Sequence, residues 1–323
     1  MKTPTNLIYA ALTALFLAIG AVTANAELGD LFASLTGTGV NGGGFLYRYT
    51  SNGVQSTLAS GVSRPNGLAV DHFGNLFVAT TTFDGTAYQG AILKITPLGE
   101  QSTFASVGSD LYLVGLAIDS SDNVFVMALT SGANFASTIY KFTRDGVQST
   151  FGSIPTPSQS FGLTFDQAGN LFAADTFNQT VFKFAPDGTK SVFVGPSAFN
   201  PETGPAGLAF DRSANLFVST ESEQPLIGND TILKFTTQGV RTTFATGLTY
   251  PRGLTFDRSG NLFVADVDGM GAGEILKFTP DGNRSVFAVV PAKSNTDPQF
   301  LAFQLLPTAR PRPSPHPRPS AER

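Results

Sequence analysis

Some polar residues that could do chemistry have no counterpart in the other copies of an internal repeat, whereas others recur in every copy. Carboxylates in this group could bind a hard cation or transfer a proton, and an arginine could hold an anion. We expect Asn66, Asp175, Glu221, Arg252 and Asp266 to contribute to ligand binding. The complete group is Asn66, Asp84, Tyr88, Asp175, Glu221, Glu223, Asp230, Arg252, Asp266, Asp268 and Glu274.

The composition argues against several other kinds of site. Cysteine is absent, which excludes disulfides, thiolate metal sites and cysteine nucleophiles. The two histidines, His72 and His316, fall in a short turn and in a C-terminal tail, which argues against a Ser/His/Asp triad. No glycine-rich loop opens a helix, and no carboxylate pair completes an EF-hand spacing. The acidic balance, a formal net charge of −4, argues against nucleic acid as a partner.

The elements that must position these residues come from an internal repeat of 45 to 48 residues. Each copy has four short apolar runs: one that ends in Asp, one that begins with Asn, one that contains Lys, and one that ends in Phe. Short runs rich in β-branched and aromatic residues, bounded by turn residues, predict strands. Four such strands joined by tight hairpins predict one antiparallel propeller blade. The copies begin at Gly67, Gly115, Gly162, Gly207 and Gly253.

A sixth blade is predicted from the two ends of the repeat region. Residues 29–33, 46–49 and 56–58 match the second, third and fourth strands, and residues 300–304 supply the missing first strand. Completing one blade from both ends closes the ring and removes exposed strand edges. The sequence therefore predicts an all-β, six-bladed propeller over residues 27–305.

The strand order predicts two different faces. Short, repetitive turns lie on one face, which we call the short-turn face. Long, irregular segments lie on the other, the long-loop face, where binding residues are expected. Residues that recur in every blade are best explained as structural, so the Asp of each repeat should hold its turn through backbone N–H groups. Asp175 and Asp266 each end a second strand and are expected to point towards the mouth of the central channel.

The segments that flank the propeller have their own character. Residues 1–26 resemble a signal peptide, with Lys2, an apolar stretch over residues 7–22 and a small-x-small site that ends at Ala26. We expect cleavage near Ala26 and a secreted or periplasmic monomer without a membrane span; an uncleaved anchor is the alternative. Residues 306–323, rich in Pro and Arg, predict a disordered tail.

The run from Gly253 to Asp266, Gly-Leu-Thr-Phe-Asp-Arg-Ser-Gly-Asn-Leu-Phe-Val-Ala-Asp, resembles the NHL repeat and, more broadly, the propellers of the senescence-marker/gluconolactonase group. For lactonase members the resemblance implies a divalent metal at the channel mouth, held by a Glu, two Asn and an Asp. Asn66 matches one asparagine motif, but Arg252 stands where the aspartate is expected. The residues that precede the six first strands are Asn66, Val114, Phe161, Ala206, Arg252 and Gln299.

These observations lead to one predicted function and two alternatives. We predict a non-catalytic scaffold without a cofactor, which binds a protein or a small-molecule ligand on its long-loop face. The first alternative is a metal-dependent lactone or ester hydrolase, with calcium held at a rebuilt site of Asn66, Asp175 and Asp266. The second is a purely structural component of an envelope or matrix.

Overall fold

A computed structural model of the chain describes residues 29–37, 43–130, 136–222, 230–267, 272–290 and 297–304. In these residues, 24 strands form six four-stranded antiparallel sheets, which are the six blades of a β-propeller, as predicted. A short 3-10 helix, Pro196–Ala198, lies between blades 3 and 4. The predicted signal peptide and tail lie outside the described residues. Within the described ranges, no helix has the length and apolar character to cross a membrane.

Each blade contributes its strands in order from the centre of the ring to its rim. Blades 1 to 3 consist of β4 (Leu68–Val70), β5 (Leu76–Phe83), β6 (Tyr88–Ile95) and β7 (Gln101–Ser109); β8 (Leu111–Ile118), β9 (Val124–Thr130), β10 (Ser137–Phe142) and β11 (Gln148–Ile154); and β12 (Ser160–Phe165), β13 (Leu171–Asp175), β14 (Thr180–Phe184) and β15 (Lys190–Val194). Blades 4 and 5 consist of β16 (Thr203–Phe210), β17 (Leu216–Ser222), β18 (Asp230–Phe235) and β19 (Arg241–Leu248); and β20 (Leu254–Phe256), β21 (Leu262–Val267), β22 (Gly273–Phe278) and β23 (Arg284–Val289).

Blade 6 is the one built from both ends of the chain. Its sheet has the order β24 (Asp297–Phe303), β1 (Leu31–Thr36), β2 (Gly43–Tyr49) and β3 (Gln55–Ser63). The predicted closure is confirmed, although β24 begins three residues before Phe300. Beyond the strand, the backbone N–H of Gln304 donates to the carbonyl oxygen of Asp30 at 3.0 Å. The two described ends therefore lie side by side on the short-turn face.

The recurring aspartates hold the turns between first and second strands, which confirms their predicted role. In blade 1, Oδ1 of Asp71 accepts the backbone N–H groups of Phe73 and Asn75 at 2.9 and 2.8 Å. Its Oδ2 accepts the side-chain amide of Asn75 at 2.7 Å. Bonds of this kind recur at Asp119, Asp166, Asp211 and Asp257.

Phenylalanines join neighbouring blades. Phe172 in the second strand of blade 3 packs edge-on against Phe193 of its own fourth strand, with ring centroids 5.1 Å apart. It also packs against Phe210 of blade 4 at 5.0 Å, and Nζ of Lys183 lies 5.7 Å from its ring centroid. This arrangement recurs around Phe125, Phe217 and Phe263. The repeated lysines thus have a structural role as cations on aromatic faces.

A β-bulge interrupts the pairing of the third and fourth strands in every blade. In blade 1, Leu93 pairs with Thr103 and Ile92 pairs with Ala105, so Phe104 is the extra residue. The aromatic side chain that packs into the blade interface therefore belongs to the extra residue of the bulge. Because a bulge increases local twist, it also makes the outer edge a poor template for another strand.

First strands approach each other closely around the central channel. An added Cβ at Gly207 would lie 1.7 Å from the carbonyl oxygen of Arg252 in the next blade. A similar backbone neighbour restricts Gly67, whose N–H donates to the carbonyl oxygen of Val114 at 2.8 Å. The glycine that opens each repeat is therefore required by this close approach and not by an unusual backbone conformation.

Candidate functional site

The residues that the sequence analysis placed before the six first strands, which we call the mouth residues, are Asn66, Val114, Phe161, Ala206, Arg252 and Gln299. Asn66 and Arg252 do precede β4 and β20. The other four lie within β8, β12, β16 and β24, because these strands begin earlier than predicted. Asn66 is buried, and its Nδ2 donates to the carbonyl oxygen of Leu113 in blade 2 at 2.9 Å. The carbonyl oxygen of Asn66 accepts Oγ of Ser34 in blade 6 at 2.7 Å. Asn66 thus joins three blades.

Arg252 extends from blade 5 across the end of the channel. Its Nη2 lies 2.6 Å from Oε1 of Glu221 in blade 4, and its Nε lies 3.3 Å from Oε2 of the same carboxylate. Its Nη1 donates to Oε1 of Gln299 in blade 6 at 2.5 Å. The guanidinium also lies 5.5 Å from the ring centroid of Phe161 in blade 3 and 6.0 Å from that of Tyr250. One arginine therefore contacts three other blades, while its side chain stays 28% exposed.

Asp230 is a buried carboxylate beside this ion pair. It is the first residue of β18. The next residue, Thr231, hydrogen-bonds with Thr220 of β17, so Asp230 lies opposite Glu221 across the two strands. Its Oδ2 accepts the backbone N–H of Tyr250 at 3.1 Å, and its Oδ1 has no hydrogen-bond partner in the described structure. The pKa of Asp230 is raised to about 6, because burial and the charge of Glu221 raise it by more than the backbone N–H groups of Tyr250 and Ser222 lower it.

Asp175 and Asp266 occupy equivalent places at the ends of second strands. Oδ1 of Asp175 accepts the backbone N–H of Gln159 at 3.1 Å, and Oδ1 of Asp266 accepts that of Thr249 at 3.0 Å. Oδ2 of Asp175 also accepts the side-chain amide of Asn178 at 2.7 Å. Burial raises the pKa of Asp175, and the bonds from Asn178 and Gln159 partly offset this effect. Both carboxylates are buried and fix the connectors that enter their blades.

The remaining members of the predicted group are dispersed. Oδ1 of Asp84 accepts the hydroxyl of Thr86 at 2.7 Å and the backbone N–H groups of Thr86 and Ala87 at 2.9 Å within an exposed turn, and these bonds lower its pKa. Glu274 pairs with Arg284 at 3.3 Å. Glu221 and Asp230 belong to β17 and β18, because this hairpin extends further than the apolar runs of the repeat. Glu223 and Asp268 lie outside the described residues.

The residues at the mouth do not fit the divalent metal that the family resemblance implies. Oε1 of Gln299 and the carboxylate of Glu221 are both bound to the guanidinium of Arg252, a fixed positive charge that repels a second cation. Asp175 is turned towards connector amides. Across the described ranges, no three His, Asp or Glu side chains come together as metal ligands.

A second feature of the long-loop face is a set of aromatic side chains that the sequence analysis largely passed over. Arg64 lies between Tyr88 and Tyr112, 5.4 and 5.8 Å from their ring centroids. Tyr88 also packs against Phe83 at 5.1 Å. Phe177, on a turn of blade 3, is 51% exposed. The signal was present in the sequence, because these aromatic residues lie outside the four apolar runs of the repeat.

The short-turn face has the other opening of the channel, a cavity of about 700 Å³. Its lining includes residues 68–70, 116–118, 163–165, 208–210, 254–256 and 301–303, together with Gln167, Arg212, Ser213, Arg258 and Ser259. His72 lies on this face as expected, with Nδ1 2.7 Å from Oδ1 of Asp122. None of the six mouth residues of the long-loop face lines the cavity.

Solved structures with the same fold have very different sequences. A protein of unknown function from Bacteroides caccae is 14% identical over 86% of this chain and 99% of its own, with a TM-score of 0.61. A virginiamycin B lyase from Staphylococcus aureus, solved with quinupristin, is 17% identical over 84% and 92%, with a TM-score of 0.56. A gluconolactonase from Xanthomonas campestris is 16% identical over 76% and 90%, with a TM-score of 0.54.

No protein-family model and no curated protein sequence matches the chain. At such low identity the likeness to solved structures concerns the fold alone. The chain therefore shares the six-bladed propeller fold of gluconolactonase-family and virginiamycin B lyase proteins.

Proposed function

We propose that this propeller is a secreted, non-catalytic scaffold that binds a protein partner through its long-loop face. The observation that carries the proposal is the concentration of arginine and aromatic side chains there. Arg64 and Arg252 each lie against two aromatic rings, and Phe177, on a turn of the same face, is about half exposed. Tyrosine and arginine dominate the residues that supply most of the binding energy in protein interfaces.

The stacked arginines are well prepared for binding. A guanidinium held by a carboxylate and an aromatic face loses little conformational freedom when a partner contacts it. Arg252 is fixed by Glu221 and Gln299 before any partner arrives. A partner residue could add hydrogen bonds to the exposed part of this guanidinium with little further loss of side-chain conformational entropy.

The gluconolactonase-type hydrolase remains the second candidate, because structures with this fold include a gluconolactonase. The donor set at the mouth argues against it. A carboxylate that is already neutralised by an arginine, and aspartates turned towards connector amides, make a poor site for calcium.

A photo-crosslinking experiment tests the proposal. We would replace Tyr88 or Phe177 with p-benzoylphenylalanine on the long-loop face, and Phe73, which is 55% exposed on the short-turn face, as the matched control. The source cells would be irradiated and the adducts identified by mass spectrometry. We expect one protein to be captured from both long-loop positions and not from Phe73.

The Arg252→Ala substitution should then weaken binding of the purified partner by at least about tenfold. Equal capture from Phe73, or unchanged affinity of the Arg252→Ala variant, would contradict the proposal. Calcium-dependent lactone turnover that Asp175→Asn and Asp266→Asn abolish would support the hydrolase in its place.

A further inference from the structure

Among the described residues, the central channel forms a pit that opens on the short-turn face. Arg252 and its contacts with Glu221, Gln299 and Phe161 lie across the opposite end, and none of the mouth residues there lines the cavity. The cavity volume, about 700 Å³, is within the range of small-molecule sites. The channel is therefore separate from the long-loop surface, and a ligand in it would enter from the face that carries the short turns.

The wall of this pit is made of strand edges. In each blade three consecutive residues of the inner strand line the cavity, for example Leu208, Ala209 and Phe210. Because successive side chains of a strand point to opposite sides of the sheet, three consecutive lining residues mean that the strand is seen edge-on. Strand edges present backbone N–H and C=O groups in alternation. The wall therefore suits a ligand whose body both donates and accepts hydrogen bonds.

The residues at the rim of the pit differ in charge from one side of the ring to the other. The second position of the first turn is His72, Ser120, Gln167, Arg212 and Arg258 in blades 1 to 5, and the residues that line the cavity there are Gln167, Arg212 and Arg258. Arg212 and Arg258 are exposed, on adjacent blades, in a chain that is acidic overall. Ser213 and Ser259 follow them and add hydroxyl groups.

The two carboxylates beside these arginines accept hydrogen bonds from their own turns. Asp257 accepts the N–H groups of Ser259 and Asn261 at 2.8 Å, together with the Asn261 side-chain amide at 2.6 Å. Asp211 makes equivalent bonds, and Nζ of Lys234 lies 3.8 Å from its Oδ2. Asp211 and Asp257 also line the cavity, so their negative charges balance those of Arg212 and Arg258. Because the aspartate oxygens are held by the turns and carboxylates cannot donate, the two guanidinium groups supply the charged hydrogen-bond donors of the rim.

We propose that this pit binds a small organic anion, whose carboxylates pair with Arg212 and Arg258 and whose amide or hydroxyl groups bond to the strand edges. Arginine matches carboxylate geometry with two parallel hydrogen bonds, and such charge-assisted bonds are stronger than neutral ones. Nothing in the long-loop face is required for this site.

Calorimetric titration of the whole protein tests this inference with two isosteric probes. N-acetyl-L-glutamate carries two carboxylates on an amide body, and N-acetyl-L-glutamine amide replaces both with neutral amides. We expect saturable binding of the anion with a Kd of about 1 mM or lower, and at least about tenfold weaker binding of the amide.

Variants locate the site. Arg212→Ser and Arg258→Ser introduce the residue that Ser120 already provides at this turn position in blade 2, so the fold should be retained. Each should weaken anion binding by at least about fivefold. Arg144→Ser, which removes the same charge from an outer turn of the same face, is the matched control and should change it by less than about twofold.

Equal binding of the two probes, absence of saturable binding up to about 10 mM anion, or the same loss in Arg144→Ser as in the rim variants would each overturn the inference. Each of these results would leave the proposed long-loop interface unaffected, because that interface is tested by crosslinking on the opposite face.

Discussion

Replacing Tyr49 with phenylalanine should stabilise the protein, because the tyrosine hydroxyl is buried without a partner. The Tyr49 side chain is fully buried, and in the described structure its hydroxyl oxygen makes no hydrogen bond. The ring itself is well packed, with Tyr47 and Phe287 centroids 6.4 and 6.3 Å away. Four other blades have phenylalanine at the equivalent place in the third strand: Phe142, Phe184, Phe235 and Phe278.

The expected gain follows from two opposing effects. Burying a hydroxyl without a partner costs about 1–3 kcal/mol, which the Tyr49→Phe substitution recovers. Deleting one oxygen leaves a void smaller than a methyl group, with a cost below about 1 kcal/mol. The net change should be a stabilisation of about 1 kcal/mol. For a domain of this size that corresponds to a rise in Tm of about 2 °C.

Urea unfolding followed by circular dichroism would measure the change as a higher midpoint at constant slope. Phe235→Tyr is the reverse control, since it places a hydroxyl at the equivalent buried position of blade 4 and should cost about 1–3 kcal/mol. Burial also raises the pKa of Tyr49 above its ordinary value of 10. Wild-type stability should therefore fall as the pH rises above 10, where the unfolded tyrosine ionises and the folded one does not, and Tyr49→Phe should reduce this loss. A lower urea midpoint for Tyr49→Phe would refute the reasoning.

Three further substitutions test other parts of the structure. Gly207→Ala should cost about 3 kcal/mol or more, because its Cβ would lie 1.7 Å from a carbonyl oxygen, whereas Gly195→Ala, with its nearest atom at 3.9 Å, should be nearly neutral in urea unfolding. Asp230→Asn should stabilise the protein by up to about 3 kcal/mol at pH 7.5. Folding raises the pKa of Asp230 from 3.8 to about 6, so its contribution to stability is lost as the pH rises through 6, and the advantage of the variant should vanish near pH 4. Asp257→Ala should cost about 1–3 kcal/mol, since three hydrogen-bond donors of the turn lose their acceptor, and an unchanged unfolding midpoint would contradict the structural role of the recurring aspartates.

The sequence was sufficient to predict the fold because five complete copies of the repeat show the same four-strand pattern. Each copy has the same turn aspartate and the same strand pattern, and residues 300–304 could be recognised as a first strand without a second strand to follow it. The prediction placed the start of that strand three residues too late, since Asp297 and Pro298 carry no strand signal of their own but pair with β1.

The candidate site was less accessible to sequence reasoning because its contacts join different blades. Glu221 and Arg252 lie 31 residues apart, and only the packing of blade 4 against blade 5 brings them together. Arg252 could be recognised as a departure from a metal site, but not as a bridge between blades. Arg212 and Arg258 were missed for another reason: their turns recur, which concealed that, among the five complete repeats, the second turn position is an arginine in blades 4 and 5 alone.

The way in which blade 6 is completed also has a consequence for assembly. The ring is closed by one strand, β24, which is held to β1 by backbone pairing and by the packing of Leu301 and Phe303. No disulfide ties β24 to β1, because the chain contains no cysteine. At high concentration, or after partial unfolding, β24 of one molecule can occupy the vacant place beside β1 of another, and two intact rings then become an exchanged dimer without any new type of contact.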